Sequence, residues 1–149
     1  MSEIPSDVVA ELAAKQAITE ALHRYCVAVD RMDEGAWWEV WHRDAFAHYE
    51  EIFDGAASHL MAWIFETHRS CEATSHQVSN VLIEVEGHAA TSECYVTACV
   101  RAGGTDVIAR GRYLDVWSSR EGAWRIDERR YRTDIMQVVP VTGVNGPVP

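Results

Sequence analysis

Two residues of this sequence have the types and positions to do proton chemistry together, Asp30 and His76. A carboxylate that accepts from one imidazole nitrogen fixes the tautomer and leaves the other nitrogen free as a base. It also stabilises the imidazolium that forms near neutral pH. Asp30 stands at the edge of an apolar stripe, Ile18, Leu22, Tyr25 and Val29, close to the end of an amphipathic helix. Negative charge there opposes the helix dipole, and a carboxylate tilted toward the core needs a partner. His76 lies early in a strand-like run, ATSHQVSN, whose alternate positions Val78, Asn80 and Leu82 share its face. Alone, such a histidine is ordinarily half exposed with one hydrogen bond. Pairing with Asp30 gives it a chemical reading.

Three further candidates follow from position. Trp124, Ile126, Glu128, Arg130 and Arg132 share one face of the last strand if no bulge intervenes. With Trp124 and Ile126 facing the core, Arg132 reaches the cavity and stabilises a developing anion. Its alternative is a structural ion pair with Glu50 or Asp115. Tyr49 and Tyr25 carry hydroxyls able to polarise a carbonyl or to donate to a leaving group, or are ordinary half-buried aromatics. Trp41, Phe65 and Asn80, with Tyr25, are expected to wall the substrate pocket, and the tryptophans also build core.

Other chemistries are not supported. His42 and His48 are six apart across a helix-to-strand junction, and no metal site is assigned. There is no G-x-G-x-x-G and no P-loop, and Ser75 and Ser92 lack a nucleophile-elbow context. No cofactor is expected. The formal net charge is −10, from 23 acidic and 13 basic residues, which argues against nucleic acid and anionic membranes. Arg125, Arg129, Arg130 and Arg132 cluster, but acidic residues interleave with them. Cys26, Cys94 and Cys99 lie in apolar settings as small hydrophobes, with no C-x-x-C spacing. The N-terminus has no apolar signal region and the run LMAWIF is too short to span a bilayer. A cytoplasmic protein is the simplest expectation.

The elements that must position these residues read as follows. A helix capped at Ser6 runs to about Met32. A turn at Asp33-Glu34-Gly35 leads to a short helix carrying Trp37, Val40 and Trp41. Ala45 to Phe53 is a strand, with Ala47 and Tyr49 on one face and Phe46, His48 and Glu50 on the other. Asp54-Gly55 turns into a third helix with apolar Leu60, Met61, Ile64 and Phe65. Ala73–Glu86, Ala89–Arg101, Asp106–Ser118 and Ala123 to about Val139 are long strands joined by turns, Gly103-Gly104 being a hairpin signal. This is an α+β domain, residues 1–149 as one unit with a core from about 9 to 137 and an extended tail from 140 to 149. A curved antiparallel sheet wrapped by three N-terminal helices makes a cone with one open mouth, suited to a small molecule.

The stretches YCVAVDRMDEGAWWEVW, TSHQVSN and GRYLDVWSSREGAWRIDERRYRTDI, in that order, resemble the SnoaL-like branch of the NTF2-like, cystatin-like superfamily. The resemblance covers roughly Val9 to Gln137 and implies the same cone. In dehydratase and dehydrochlorinase members, Asp at the end of the first helix orients His on the first long strand. Asp30 and His76 match those positions. Arg132 matches an active-site arginine of the dehydrochlorinases, and Tyr49 a substrate-polarising tyrosine of the dehydratases. The dehydrochlorinase lysine is replaced by Tyr25, which points to an oxygenated, phenolic substrate. The second histidine of the dehydratases has no clear counterpart.

The resulting expectation is a cofactor-independent lyase. A His–Asp dyad removes a proton from a small aromatic, lignin-derived or polyketide-like substrate, eliminating water or releasing formaldehyde by retro-aldol-type cleavage. The alternatives are an isomerase or cyclase using the same pocket, and a non-catalytic ligand-binding or dioxygenase β-subunit-like module. The resemblance implies a homodimer or homotrimer.

Overall fold

Apolar residues three and four apart, from Ala14 through Ile18, Leu22 and Tyr25 to Val29, form the buried face of helix α1 (Ser6–Arg31). This computed structural model describes residues 5–141. Pro5, not Ser6, occupies the cap position, with no side-chain cap bond, because Ser6 already has helical geometry. Met32 turns left-handed and ends α1, its amide reaching the carbonyls of Ala28 and Val29. Asp33 then caps helix α2 (Glu34–Val40), its carboxylate accepting from the Ala36 amide at 3.0 Å. Glu34 and Gly35, expected in a turn, are therefore helical.

Strand β1 (Trp41–Tyr49) begins and ends earlier than its expected range, and a short β2 (Phe53–Ala56) pairs with it. Asp54 and Gly55 thus belong to a strand, and the turn lies at Glu50, which adopts positive φ. Helix α3 (Ala57–Arg69) buries Leu60, Ile64, Phe65 and His68. Four long strands follow: β3 (Ala73–Glu86), β4 (Ala89–Ala102), β5 (Thr105–Arg120) and β6 (Ala123–Pro140). Part of the expected tail, residues 142–149, lies outside the described residues, as do residues 1–4 of the expected loose start.

The strands form one curved, unclosed sheet in the order β2-β1-β6-β5-β4-β3. The expected antiparallel sheet is mixed: β1 runs parallel to β6. A parallel pair needs a long crossover, and the chain between β1 and β6 supplies one. The fold is α+β and NTF2-like. No helix of the described residues is long and apolar enough to cross a membrane.

Bulges decide which side chains face the core. On β3, Asn80 and Val81 together oppose the single Cys94 of β4, with Asn80 at positive φ, a conformation asparagine tolerates. Facing inverts there. Thr74, His76 and Val78 point inward, followed by Val81, Ile83 and Val85, while Leu82 is 72% exposed. On β6, Asp127 is the extra residue between the pairs Trp117–Ile126 and Val116–Glu128. Beyond it Arg129 and Tyr131 are buried, and Arg130 and Arg132 are exposed. Two expectations fall with these bulges. Asn80 does not share the His76 pocket, and Arg132 does not reach the cavity.

Gly111 permits a close backbone approach in the sheet, since a Cβ there would lie 2.1 Å from the Arg132 carbonyl oxygen. Cys26 and Cys94 are sealed in the core, where burial pushes their thiols up to about 11 and about 12. They stay protonated and pack as apolar groups.

Candidate active site

β3 is an edge strand, so alternate backbone amides along it have no ladder partner. The end of α1 lies against that edge, and Asp30 uses what the edge offers. Its Oδ1 is 2.7 Å from His76 Nδ1, its Oδ2 accepts the His76 backbone amide at 3.0 Å, and the Thr74 hydroxyl donates to Oδ1 at 3.0 Å. Partial burial raises the Asp30 pKa, but the ring, amide and charge of His76, with Thr74, outweigh it and hold the group below its ordinary value. An ionised carboxylate only accepts, so Nδ1 of His76 carries a hydrogen, and in the neutral ring the lone pair is on Nε2. The His76 side chain is 9% exposed and that of Asp30 25%.

A cavity of about 150 Å³ lies beside this pair. His76 and His68 line it, with the tyrosines Tyr25, Tyr49, Tyr113 and Tyr131. Trp63, Ile64, Val96 and Ala98 complete the wall. The Tyr25 and Tyr49 hydroxyls are 3.0 Å apart. Burial raises the pKa of both, with the Arg129 charge opposing it, so both stay protonated, one donating to the other. Larger hollows lie elsewhere. One of about 450 Å³ lies between α1 and the β3–β4 turn, and one of about 400 Å³ on the sheet face bearing Leu82 and Val116. Neither contains the dyad, so the smaller cavity is the chemical candidate.

The remaining expected residues are distributed unevenly. Tyr49 and Tyr25 are at the cavity. Trp41 is 1% exposed and stacks on Trp37 at 5.3 Å, and Phe65 meets Trp37 edge-on at 6.0 Å. Both are core beneath the site and neither lines it. Asn80 and Arg132 lie off it for the reasons of facing given above.

Two residues at or behind the site escape a sequence reading. Arg129 occupies the interior where Arg132 was expected. Its guanidinium grips Asp115 through two bonds of 2.7 Å, with both side chains fully buried. The group lies 3.8 Å from the Tyr113 ring centroid and 4.3 Å from that of Tyr25. Burial works against its charge, and the Asp115 carboxylate prevails, keeping the guanidinium protonated. The available signal was Asp115 itself, a charge alternating with apolar Tyr113 and Trp117 on β5. The other residue is His68, which continues the Leu60, Ile64 stripe at intervals of four. Among the described residues, no group of three His, Cys, Asp or Glu side chains is arranged to hold a metal ion.

Residues 10–130 match the SnoaL-like domain family. No curated protein matches the sequence. Among solved structures, a scytalone dehydratase-like protein from Novosphingobium aromaticivorans is similar with a TM-score of 0.80 and 20% identity, over 93% of this chain and 99% of that one. The hexachlorocyclohexane dehydrochlorinase LinA-type3 from Novosphingobium barchaimii gives 0.77 and 20%, over 95% and 99%. LinA itself gives 0.77 and 22%, over 95% and 98%. At these identities the likeness is one of fold.

Proposed function

The chain belongs to the SnoaL-like domain family, and on that premise we propose that it is a cofactor-independent lyase acting on a small molecule built on a single ring. The observation that carries the reading is the 2.7 Å contact of Asp30 with His76 Nδ1 at the wall of a cavity. A comparable volume, on the order of 150 Å³, holds benzene in an engineered protein cavity.

His76 Nε2 is the general base. It takes a proton from the carbon next to a departing hydroxyl and returns it to that hydroxyl, which leaves as water. On a substrate bearing a hydroxymethyl group next to a carbonyl, the same base takes the hydroxyl proton and the adjacent carbon–carbon bond breaks to release formaldehyde. The electron pair passes to the carbonyl as an enolate, and His76 returns the proton to its carbon. Asp30 holds the tautomer and offsets the imidazolium charge. One of the Tyr25 and Tyr49 hydroxyls donates to the other, and the one left with a free hydrogen donates to the oxygen that gains charge. The dehydratase and dehydrochlorinase descriptions of the similar structures support elimination as the first chemistry to assay.

Screening hydroxylated aromatic, lignin-derived and polyketide-like compounds for water or formaldehyde release supplies the assay. His76→Ala then loses on the order of 10²- to 10⁴-fold in turnover with its circular dichroism unchanged. Full turnover in that variant ends the mechanism. The reading extends to a homodimer or homotrimer formed through the sheet face that exposes Leu82, Tyr95 and Val116. Sedimentation equilibrium measures it, and a monomer at micromolar concentration refutes it.

A further inference from the structure

The cavity holds a second imidazole that this mechanism does not use. His68 stands on the last turn of α3, 9% exposed, with its ring centroid 5.4 Å from that of His76. Its Nδ1 lies 3.3 Å from the Val29 carbonyl oxygen. A carbonyl only accepts, so Nδ1 donates, and in the neutral ring the lone pair is on Nε2. Burial lowers the His68 pKa. The Val29 carbonyl opposes that, the His76 charge adds to it, and Asp30 opposes it, with burial prevailing.

Among the described residues no protein donor reaches Nε2. It is also not one of the sealed, unpartnered buried atoms. With Nδ1 committed to Val29 on α1, Nε2 is the ring nitrogen left for the cavity that His68 lines. A buried acceptor without a donor leaves a hydrogen bond for a ligand to make. On other parts of the same wall, Tyr25 and Tyr49 present hydroxyls that burial keeps protonated.

We propose that His68 is a specificity residue whose Nε2 accepts a hydrogen bond from a hydroxyl carried on the ring of the bound molecule, beside the position His76 acts on. The cavity then selects hydroxylated monocycles over their methyl counterparts. This rests on the reading of the cavity as the substrate site.

Phenol and toluene are the probes, having nearly the same shape and differing in the hydroxyl. Both are titrated into the full chain carrying ¹⁵N-labelled imidazoles, as wild type, His68→Phe and His76→Phe. In the wild type, phenol shifts the His68 Nε2 resonance and toluene leaves it in place. His68→Phe weakens phenol about tenfold and changes toluene by less than about twofold, the scale of one hydrogen bond. An unmoved His68 Nε2 signal, or phenol affinity unchanged by His68→Phe, overturns the inference. Should His68→Phe not fold, the wild-type resonance decides. A phenol preference lost only in His76→Phe assigns the hydroxyl to the base, which defeats the inference and leaves the lyase reading standing. Failure of both probes to enter the cavity defeats the cavity reading itself.

Discussion

Asp30 and Asp115 each meet a nitrogen partner at 2.7 Å, and their surroundings could hardly differ more. Asp115 and Arg129 are fully buried beneath the aromatic layer of Tyr25 and Tyr113. Asp30 stays a quarter exposed and reaches His76 across the gap between a helix end and a sheet edge. The sealed pair has no route by which a ligand could trade a proton with it. Burial raises the Asp115 carboxyl and the Arg129 charge opposes that rise, and the pair serves as an electrostatic post behind the tyrosines. The open pair ends on a nitrogen at a cavity wall, so its protonation can change in step with a bound molecule. Two charged pairs on one side of a sheet are thus given different work by access alone.

Breaking the sealed pair is expected to have the largest effect. Arg129→Met strands a buried carboxylate and costs about 3–5 kcal/mol in urea unfolding. Adding Asp115→Leu to that variant restores most of the loss, because no uncompensated charge is left behind. If the single substitution proves harmless, the pair is not the post described here.

Asp30→Asn separates the two pairs more finely, removing charge-assisted bonds worth about 1–3 kcal/mol. The Asp30 pKa is depressed in the folded state, so its contribution is fully present above the ordinary carboxylate value near pH 4. It disappears as the pH falls through the lower folded value. Urea midpoints of wild type and Asp30→Asn are therefore expected to differ at pH 7 and to converge in acid. A gap that persists unchanged in acid means that Asp30 is not acting as a charged acceptor. Arg132→Ala is expected to have the smallest effect, within about 0.5 kcal/mol and with turnover unaltered, since the side chain is exposed. A large loss there would return Arg132 to the role that Arg129 now fills.

The contrast also marks how far the sequence could be read. Asp30 and His76 were legible because nothing irregular separates them from the patterns that place them. The α1 stripe runs unbroken to Val29, and β3 alternates cleanly from Thr74 to Val78. Facing on β6 was lost at Asp127, where one extra residue inverts the side chains that follow as far as the next bulge at Asp134, so the arginine expected inside is outside and its neighbour but two, Arg129, is inside. Asn80 fails for the same reason on β3. A bulge is a tertiary compromise between two strands, and its local mark, an Asn or Asp in the run, is shared with ordinary turns and exposed positions. Trp41 and Phe65 show a different limit. Aromatic residues line cavities and fill cores in the same periodic positions, and only the packing of Trp37 against both assigns them to the core. His68 was readable in principle from its place on the α3 stripe. Its relation to His76 depends on how far α3 lies from the β3 edge, which no spacing encodes.

The Asn80 bulge separates sheet shape from sheet composition. A chain shortened by that one residue would keep Val78, Val81, Ile83 and Val85 on the face they already hold, because alternation resumes across the gap. Only the local bend and twist of the edge strand would change. The strand that carries His76 could therefore have its curvature adjusted without altering a single core contact by identity. Cavity width becomes a matter of chain length at one position, open to tuning independently of the residues that do the chemistry.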